Sequence, residues 1–114
     1  MTLAYKRLGS AVVVAITNTA LYTVPASTTT VAQFIATNTS QTNATFRFAI
    51  IVNAGISSVS AGDYLVYDRT LVPGEVFSLS GLTMNAGDTM MVQSNVAGGG
   101  GTGLNFQAYG EEQS

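Results

Sequence analysis

The sequence predicts one all-β domain, a single antiparallel β-sandwich of about eight strands with jelly-roll-like topology. Its length of 114 residues is that of one domain. Runs rich in Val, Ile, Thr, Phe and Tyr alternate with Gly, Asn, Ser and Pro, which is typical of strands joined by turns. No long segment has the apolar spacing of three and four that an amphipathic helix requires.

The first half of the chain contains the clearest strand pattern. Phe46, Phe48 and Ile50 share one face of a strand, and Thr45 and Arg47 point the other way. Pro25 ends an earlier strand, because proline cannot donate to a central ladder. We expect strands here at residues 2–7, 11–17, 20–24, 28–37 and 45–53.

The second half repeats one turn pattern, a small residue or Pro, then Gly, then an acid. It occurs at Ala61-Gly62-Asp63, Pro73-Gly74-Glu75 and Ala86-Gly87-Asp88. This order suits type II turns, in which Gly takes the position with positive φ. Strands are predicted after the turns at residues 64–71, 76–79 and 89–94, and the last strand at 104–109. The glycine-rich residues 97–103 are predicted to form a hairpin loop.

The predicted core follows from the large apolar residues of these strands. Both faces of residues 64–67 are apolar, which predicts a strand that is covered on both sides. Beyond it, Asp68 could pair with Arg47 across strands, or Arg69 with a neighbouring subunit. The expected core comprises Phe34, Phe46, Phe48, Ile50, Leu65, Tyr67, Phe77, Leu79 and Phe106.

Charge is scarce in this chain. Charged residues make up 9% of the sequence, against about 25% in an ordinary soluble domain. The four scattered cations cannot neutralise a run of phosphates, so no nucleic-acid partner is expected. Low charge suits a surface that neighbouring subunits cover, since interface cores are depleted of charge. The alternative is a Thr-rich β-domain whose outer faces are simply uncharged.

The residue types argue against catalysis. The sequence has no histidine and no cysteine, so serine and threonine lack the usual general base. Asp63, Asp68 and Asp88 could begin a calcium site, but no dense acidic loop accompanies them. We therefore expect no enzyme activity, no metal and no cofactor. We also expect no secretion signal and no membrane helix, because the longest apolar run, residues 11–16, is far shorter than the required ~20 residues.

Seven residues are candidates for contacts with other subunits. Residues 1–10 are predicted to form an arm that leaves the sandwich domain, residues 11–114, and adds a strand to a neighbour or lies on a shell. An ordinary first strand is the alternative. Met90 and Met91 are adjacent and must face both sides of their strand, where Met adapts to irregular contacts. The candidates are Tyr5, Lys6, Arg7, Arg69, Met90, Met91 and Tyr109.

The chain from Leu21 to Glu112 resembles a class of small virion proteins of tailed bacteriophages. The segments that carry the resemblance are 21–29, 34–38, 64–68, 73–75, 81–88 and 105–111. The resemblance implies a β-sandwich with a structural role and offers no catalytic residues to carry over.

Within that class we expect a capsid cement or decoration protein on the outer capsid surface, made in the host cytoplasm. A tail, collar or baseplate component is the alternative. The expected partners are further copies of the chain, with a trimer favoured, and the major capsid protein or a tail protein. A rival from another class is a carbohydrate-binding module, for which Tyr22, Tyr64 and Tyr109 are the available aromatic platforms.

Overall fold

A computed structural model describes residues 3–12, 15–95 and 103–114, which form eight strands and two short 3-10 turns. The strands are β1 (Leu3–Val12), β2 (Thr19–Thr23), β3 (Thr29–Asn38), β4 (Ala44–Ile51), β5 (Tyr64–Leu71), β6 (Val76–Met84), β7 (Thr89–Ser94) and β8 (Leu104–Gln113). The 3-10 turns, Ile56–Ser58 and Ala61–Asp63, lie between β4 and β5. No helix in the described part of the chain could cross a membrane.

The strands form two four-stranded antiparallel sheets that pack face to face. Sheet I has the order β1-β8-β3-β6, and sheet II has the order β2-β7-β4-β5. The chain pairs its first strand with its last, its second with its seventh, its third with its sixth and its fourth with its fifth. A long antiparallel ribbon folded over on itself gives this nested pairing, which is that of a jelly roll. The predicted fold is confirmed.

All five phenylalanines of the sequence meet between the two sheets. Phe34 of β3 stacks on Phe48 of β4 with 4.0 Å between ring centroids, so this contact joins the sheets directly. The fully buried phenylalanines are Phe34, Phe46, Phe48 and Phe106, and the partly buried predicted residues Ile50, Phe77 and Leu79 pack against them. The alternation in the sequence therefore predicted the centre of the core correctly.

The prediction for β5 was wrong in one respect. Leu65 is 53% exposed and Tyr67 is 60% exposed, so neither belongs to the core, while Val66 between them is buried. The reason is that the segment between β4 and β5 packs over Ala49, Ile51 and Met91 and leaves Leu65 and Tyr67 exposed. A strand with apolar residues on both faces can therefore leave one of those faces exposed to solvent.

Residues 3–10, the described part of the expected arm, belong to the sandwich. Leu3–Val12 pairs with β8 along its whole length, with a bulge between Arg7 and Gly9. This differs from the expected arm and from a boundary at residue 10, and it matches the alternative of an ordinary first strand. The physical cause is packing, since Leu8 and Ala11 both contact the core. Of the second strand expected at 11–17, residues 13–14 lie outside the described residues, and residues 15–16 form a turn.

The bulge in β1 depends on glycine. A Cβ atom on Gly9 would lie 2.1 Å from the carbonyl oxygen of Leu21 on β2. The backbones of β1 and β2 therefore approach more closely than any side chain allows, and this contact closes one lateral edge of the sandwich.

Two of the three predicted glycine turns are confirmed. Gly74 has φ +80° and Gly87 has φ +88°, as type II turns require. The third prediction was wrong, because Gly62 lies in a 3-10 turn that Ser60 and Asp63 cap reciprocally. The hairpin loop expected at 97–103 lies, apart from Gly103, outside the described residues.

We predict that Gly9→Ala lowers the free energy of unfolding by about 1–3 kcal/mol, because the methyl group forces β1 away from β2. Urea denaturation measures this change. The matched control is Gly62→Ala, where an added Cβ meets nothing within 4 Å, and a change within about 0.5 kcal/mol is expected. Equal effects of the two substitutions would show that β1 and β2 do not touch at Gly9.

Candidate interaction surface

The outer face of sheet II is partly covered by the chain itself. Ala49, Ile51 and Met91 point away from the core, yet all three are buried. Residues 52–63 cross this face, and their apolar side chains, among them Ile56 and Val59, pack against the three. Part of one sheet therefore receives its apolar cover in cis.

This arrangement corrects the prediction for the two methionines. They do face opposite sides of β7, because Met90 lies in the core between the sheets and Met91 lies under residues 52–63. Both are fully buried within one chain. Neither is available to contact another subunit.

The outer face of sheet I is open among the residues that the structure describes. Even-numbered residues of β3 and of Leu104–Ala108 in β8 are buried in the core, so the odd-numbered ones point outward. The exposed large apolar residues of this sheet are Leu3, Tyr5, Val12, Val31, Val76 and Tyr109. Single exposed apolar residues are ordinary, but several on one flat sheet form a patch that suits a partner.

Four of the seven predicted contact residues meet at one place on this sheet. Tyr5, Lys6, Arg7 and Tyr109 line a shallow depression of about 500 Å³, together with Val31, Gly110 and Glu111. The β1–β8 register explains the convergence, since it places Arg7 opposite Tyr109 and Tyr5 opposite Glu111. We call this depression and the exposed apolar residues around it the sheet I face.

Among the side chains that line the depression, sequence reasoning missed Val31 and Glu111. Both lie at odd positions of their strands, opposite one another in the β3–β8 register. The alternation along residues 28–37 carried the signal for Val31. Glu111 lies beyond the predicted end of the last strand, so its outward position was not visible.

The polar groups of the sheet I face bond mainly to one another. Glu111 accepts a hydrogen bond of 2.9 Å from Gln113 and a second from Tyr5, and these bonds lower the pKa of its carboxyl group. The same bond to Glu111 raises the pKa of Tyr5. The Tyr109 hydroxyl donates to Gln107 at 2.6 Å. Arg7 forms no ion pair with any described residue.

Lys6 has a second role on the inner side of β1. Its Nζ lies 2.8 Å from Oε1 of Glu112. The other carboxylate oxygen of Glu112, Oε2, accepts a hydrogen bond from the Tyr22 hydroxyl. The same hydroxyl lies 2.9 Å from Oγ1 of Thr30. This Lys6–Glu112–Tyr22–Thr30 cluster links three strands of sheet I to β2 of sheet II. Burial raises the pKa of Tyr22 to about 12, and this buried ring is not the exposed platform expected for a carbohydrate site.

Arg47 and Asp68 form the cross-strand pair that the sequence allowed. Arg47 donates two hydrogen bonds to the Asp68 carboxylate, at 2.6 and 3.1 Å, and its guanidinium lies 4.0 Å from the centroid of the Tyr67 ring. The pair lowers the pKa of Asp68. Asp68 sits at a bulge of β5 with φ +55°, where it pairs without distorting β4.

Arg69 lies at the other lateral edge of the sandwich. Its guanidinium lies 4.8 Å from the centroid of the Phe77 ring, so β5 of sheet II touches β6 of sheet I there. Arg69 therefore lies at a contact within the chain and far from the depression that Tyr5 and Tyr109 line.

The three aspartates considered for calcium have separate roles. Asp63 caps a 3-10 turn, Asp68 pairs with Arg47, and Asp88 accepts the backbone N–H groups of Asn53 and Asn85, each at 2.9 Å. In residues 3–12, 15–95 and 103–114, no three acidic or other metal-ligating side chains cluster in a way that could hold a metal ion.

The fold is a jelly-roll sandwich, and the described part of the chain leaves the outside of sheet I open. No protein-family model, no curated protein and no solved structure matches this chain.

The Lys6–Glu112–Tyr22–Thr30 cluster makes the stability of the folded protein depend on pH. Hydrogen bonds from Lys6 and Tyr22 hold the pKa of the Glu112 carboxyl below its usual value. Its stabilisation is therefore complete above the unfolded-state pKa of about 4.3 and is lost as pH falls through the lower folded-state pKa. We predict that wild-type protein loses more stability on acidification from neutral pH than Glu112→Gln, measured by urea denaturation. Parallel pH profiles would contradict this role, since the exposed carboxylates are common to both proteins.

Proposed function

We propose that this chain is a non-enzymatic structural protein of a virion, which binds the outside of a tailed-phage head as a cement or decoration protein. The observation that carries the proposal is the sheet I face, a broad and nearly uncharged surface that the described part of the chain leaves open. Jelly-roll sandwiches are frequent among viral capsid domains. The resemblance to small phage virion proteins points the same way.

The chemistry of the face favours contact over catalysis. Its depression is lined by two tyrosines, a valine and a glycine, with charge confined to Lys6, Arg7 and Glu111. Tyrosine is enriched where protein surfaces bind one another, because it offers a large rigid contact area with a polar tip. A face with so few charges also loses little hydration when a partner covers it.

A cement protein works through the sum of many modest contacts. Each copy contributes one small interface, and copies bound around neighbouring capsomers act together because the shell holds them in place. Separation of two capsomers would then break several interfaces at once. The stabilisation is mechanical and requires no cofactor.

The copy number in purified particles tests this role. Quantitative mass spectrometry should find this protein at a level comparable with that of the major capsid protein. A few copies per particle would contradict the cement role and favour a tail, collar or baseplate component. Absence from particles would contradict both.

A binding assay tests whether the sheet I face serves the role. Purified wild-type protein should bind particles that lack it and raise their resistance to heating, whereas Tyr109→Glu should not. The matched control is Tyr67→Glu, which places the same charge on an exposed tyrosine of sheet II. Equal binding of the two variants would show that the shell is recognised elsewhere.

A further inference from the structure

We propose that the sheet I face binds a second copy of this chain. The inference rests on the proposed structural role and names a second copy, bound beside the first on the shell, as the partner that covers this face. Substitutions on the face then weaken shell binding because they break up the oligomer whose copies bind together. Three properties of the face support a copy as its occupant: its area, its paired charges and its shape.

The area is sufficient for a specific contact. Sheet I contains strands of nine or ten residues. At about 3.4 Å per residue and about 4.8 Å between strands, four such strands present on the order of 600 Å². Two copies that meet through this sheet would bury roughly 1,200 Å² in total, which lies above the ~1,000 Å² expected of a specific interface.

The charges of the face complement those of an identical face. Outward-pointing charge on the paired part of β1 and β8 is confined to Arg7 and Glu111, one cation and one anion. They lie diagonally across the strand pair, because Arg7 is opposite Tyr109 and Glu111 is opposite Tyr5. When two copies meet, Arg7 of one can face Glu111 of the other, and symmetry repeats that contact. Such complementarity favours a second copy over a partner with a strong charge of either sign.

The shape of the face also suits a second copy. Tyr5 is 77% exposed and forms one wall of the depression, which Tyr109 and Val31 also line. In a symmetric contact, the exposed Tyr5 ring of each copy can lie against the depression of the other.

Sheet II shows how this chain treats a comparable apolar surface. There, residues 52–63 cover Met91 and its neighbours within the same molecule. No segment in the described ranges covers Tyr5, Val31 and Tyr109. A second copy would cover the apolar residues of sheet I, as residues 52–63 of the same chain cover those of sheet II.

Sedimentation velocity of the purified protein, with no particles present, tests the inference. Wild type should sediment at a multiple of the 11.8 kDa chain mass at micromolar concentration. Val31→Glu and Tyr5→Glu should sediment as monomers, and Leu65→Glu and Tyr67→Glu, on the exposed edge of sheet II, should assemble as wild type does. Circular dichroism and thermal melting check that each variant is folded.

A charge exchange provides the second test and does not depend on disrupting the face. Arg7→Glu alone places two acids on each face and should weaken self-association about tenfold or more. Combining it with Glu111→Arg restores opposite charges and should recover most of the wild-type affinity. A double variant no tighter than Arg7→Glu would overturn the assignment of this face.

The outcomes separate this inference from the proposed function. A wild-type monomer that still binds particles would overturn self-association through sheet I and leave the cement role standing. An oligomer that the sheet I variants dissociate, but that is absent from particles, would support the inference and overturn the cement role. Equal disruption by the sheet I and sheet II variants would also overturn the inference.

Discussion

The stacking of Phe34 on Phe48 is the contact on which the rest of the structure depends. It joins the middle of sheet I to the middle of sheet II, and Phe46 and Phe106 pack around it. Because side chains alternate along a strand, this contact fixes which residues of β3 and β4 face inward. A slip of one residue would expose the phenylalanine and bury its polar neighbour. The outward position of Val31 follows directly from the inward position of Phe34.

The two lateral edges of the sandwich are closed by different means. On one side the backbone of Gly9 lies against Leu21, and on the other the guanidinium of Arg69 covers Phe77. The outer face of sheet II is partly covered by residues 52–63. With a contact between the sheets at each edge and that face partly covered, the outside of sheet I remains as the nearly uncharged surface open to a partner. Both proposals, shell binding and self-association, follow from the difference between a partly covered sheet II and an open sheet I.

The sequence predicted those features that depend on local alternation and turn chemistry. Phe46 and Phe48 were placed correctly because they alternate with Thr45 and Arg47, and Gly74 and Gly87 because a positive φ selects glycine. The features that it did not predict depend on contacts between distant segments. Nothing near Met91 indicates that residues 52–63 will cover it, and nothing near Gly9 indicates the approach of Leu21.

One error was avoidable and one was not. Ser60 followed by Asp63 is a capping pattern that could have identified the 3-10 turn around Gly62. The exposure of Leu65 and Tyr67 could not be read from their own segment, because it depends on where residues 52–63 pack across the sheet. The candidate contact residues Tyr5, Arg7 and Tyr109 were predicted separately, from their charge and aromatic character. Only the β1–β8 register brings them together.

The central claim is that the sheet I face is covered when the protein is at work. Hydroxyl-radical footprinting read by mass spectrometry measures this directly, because tyrosine side chains react according to their exposure to solvent. On passing from dilute to assembled protein, Tyr5 and Tyr109 should lose reactivity while Tyr67 stays reactive. Unchanged reactivity of Tyr5 and Tyr109 in the assembled state, with or without protection of Tyr67, would contradict the account.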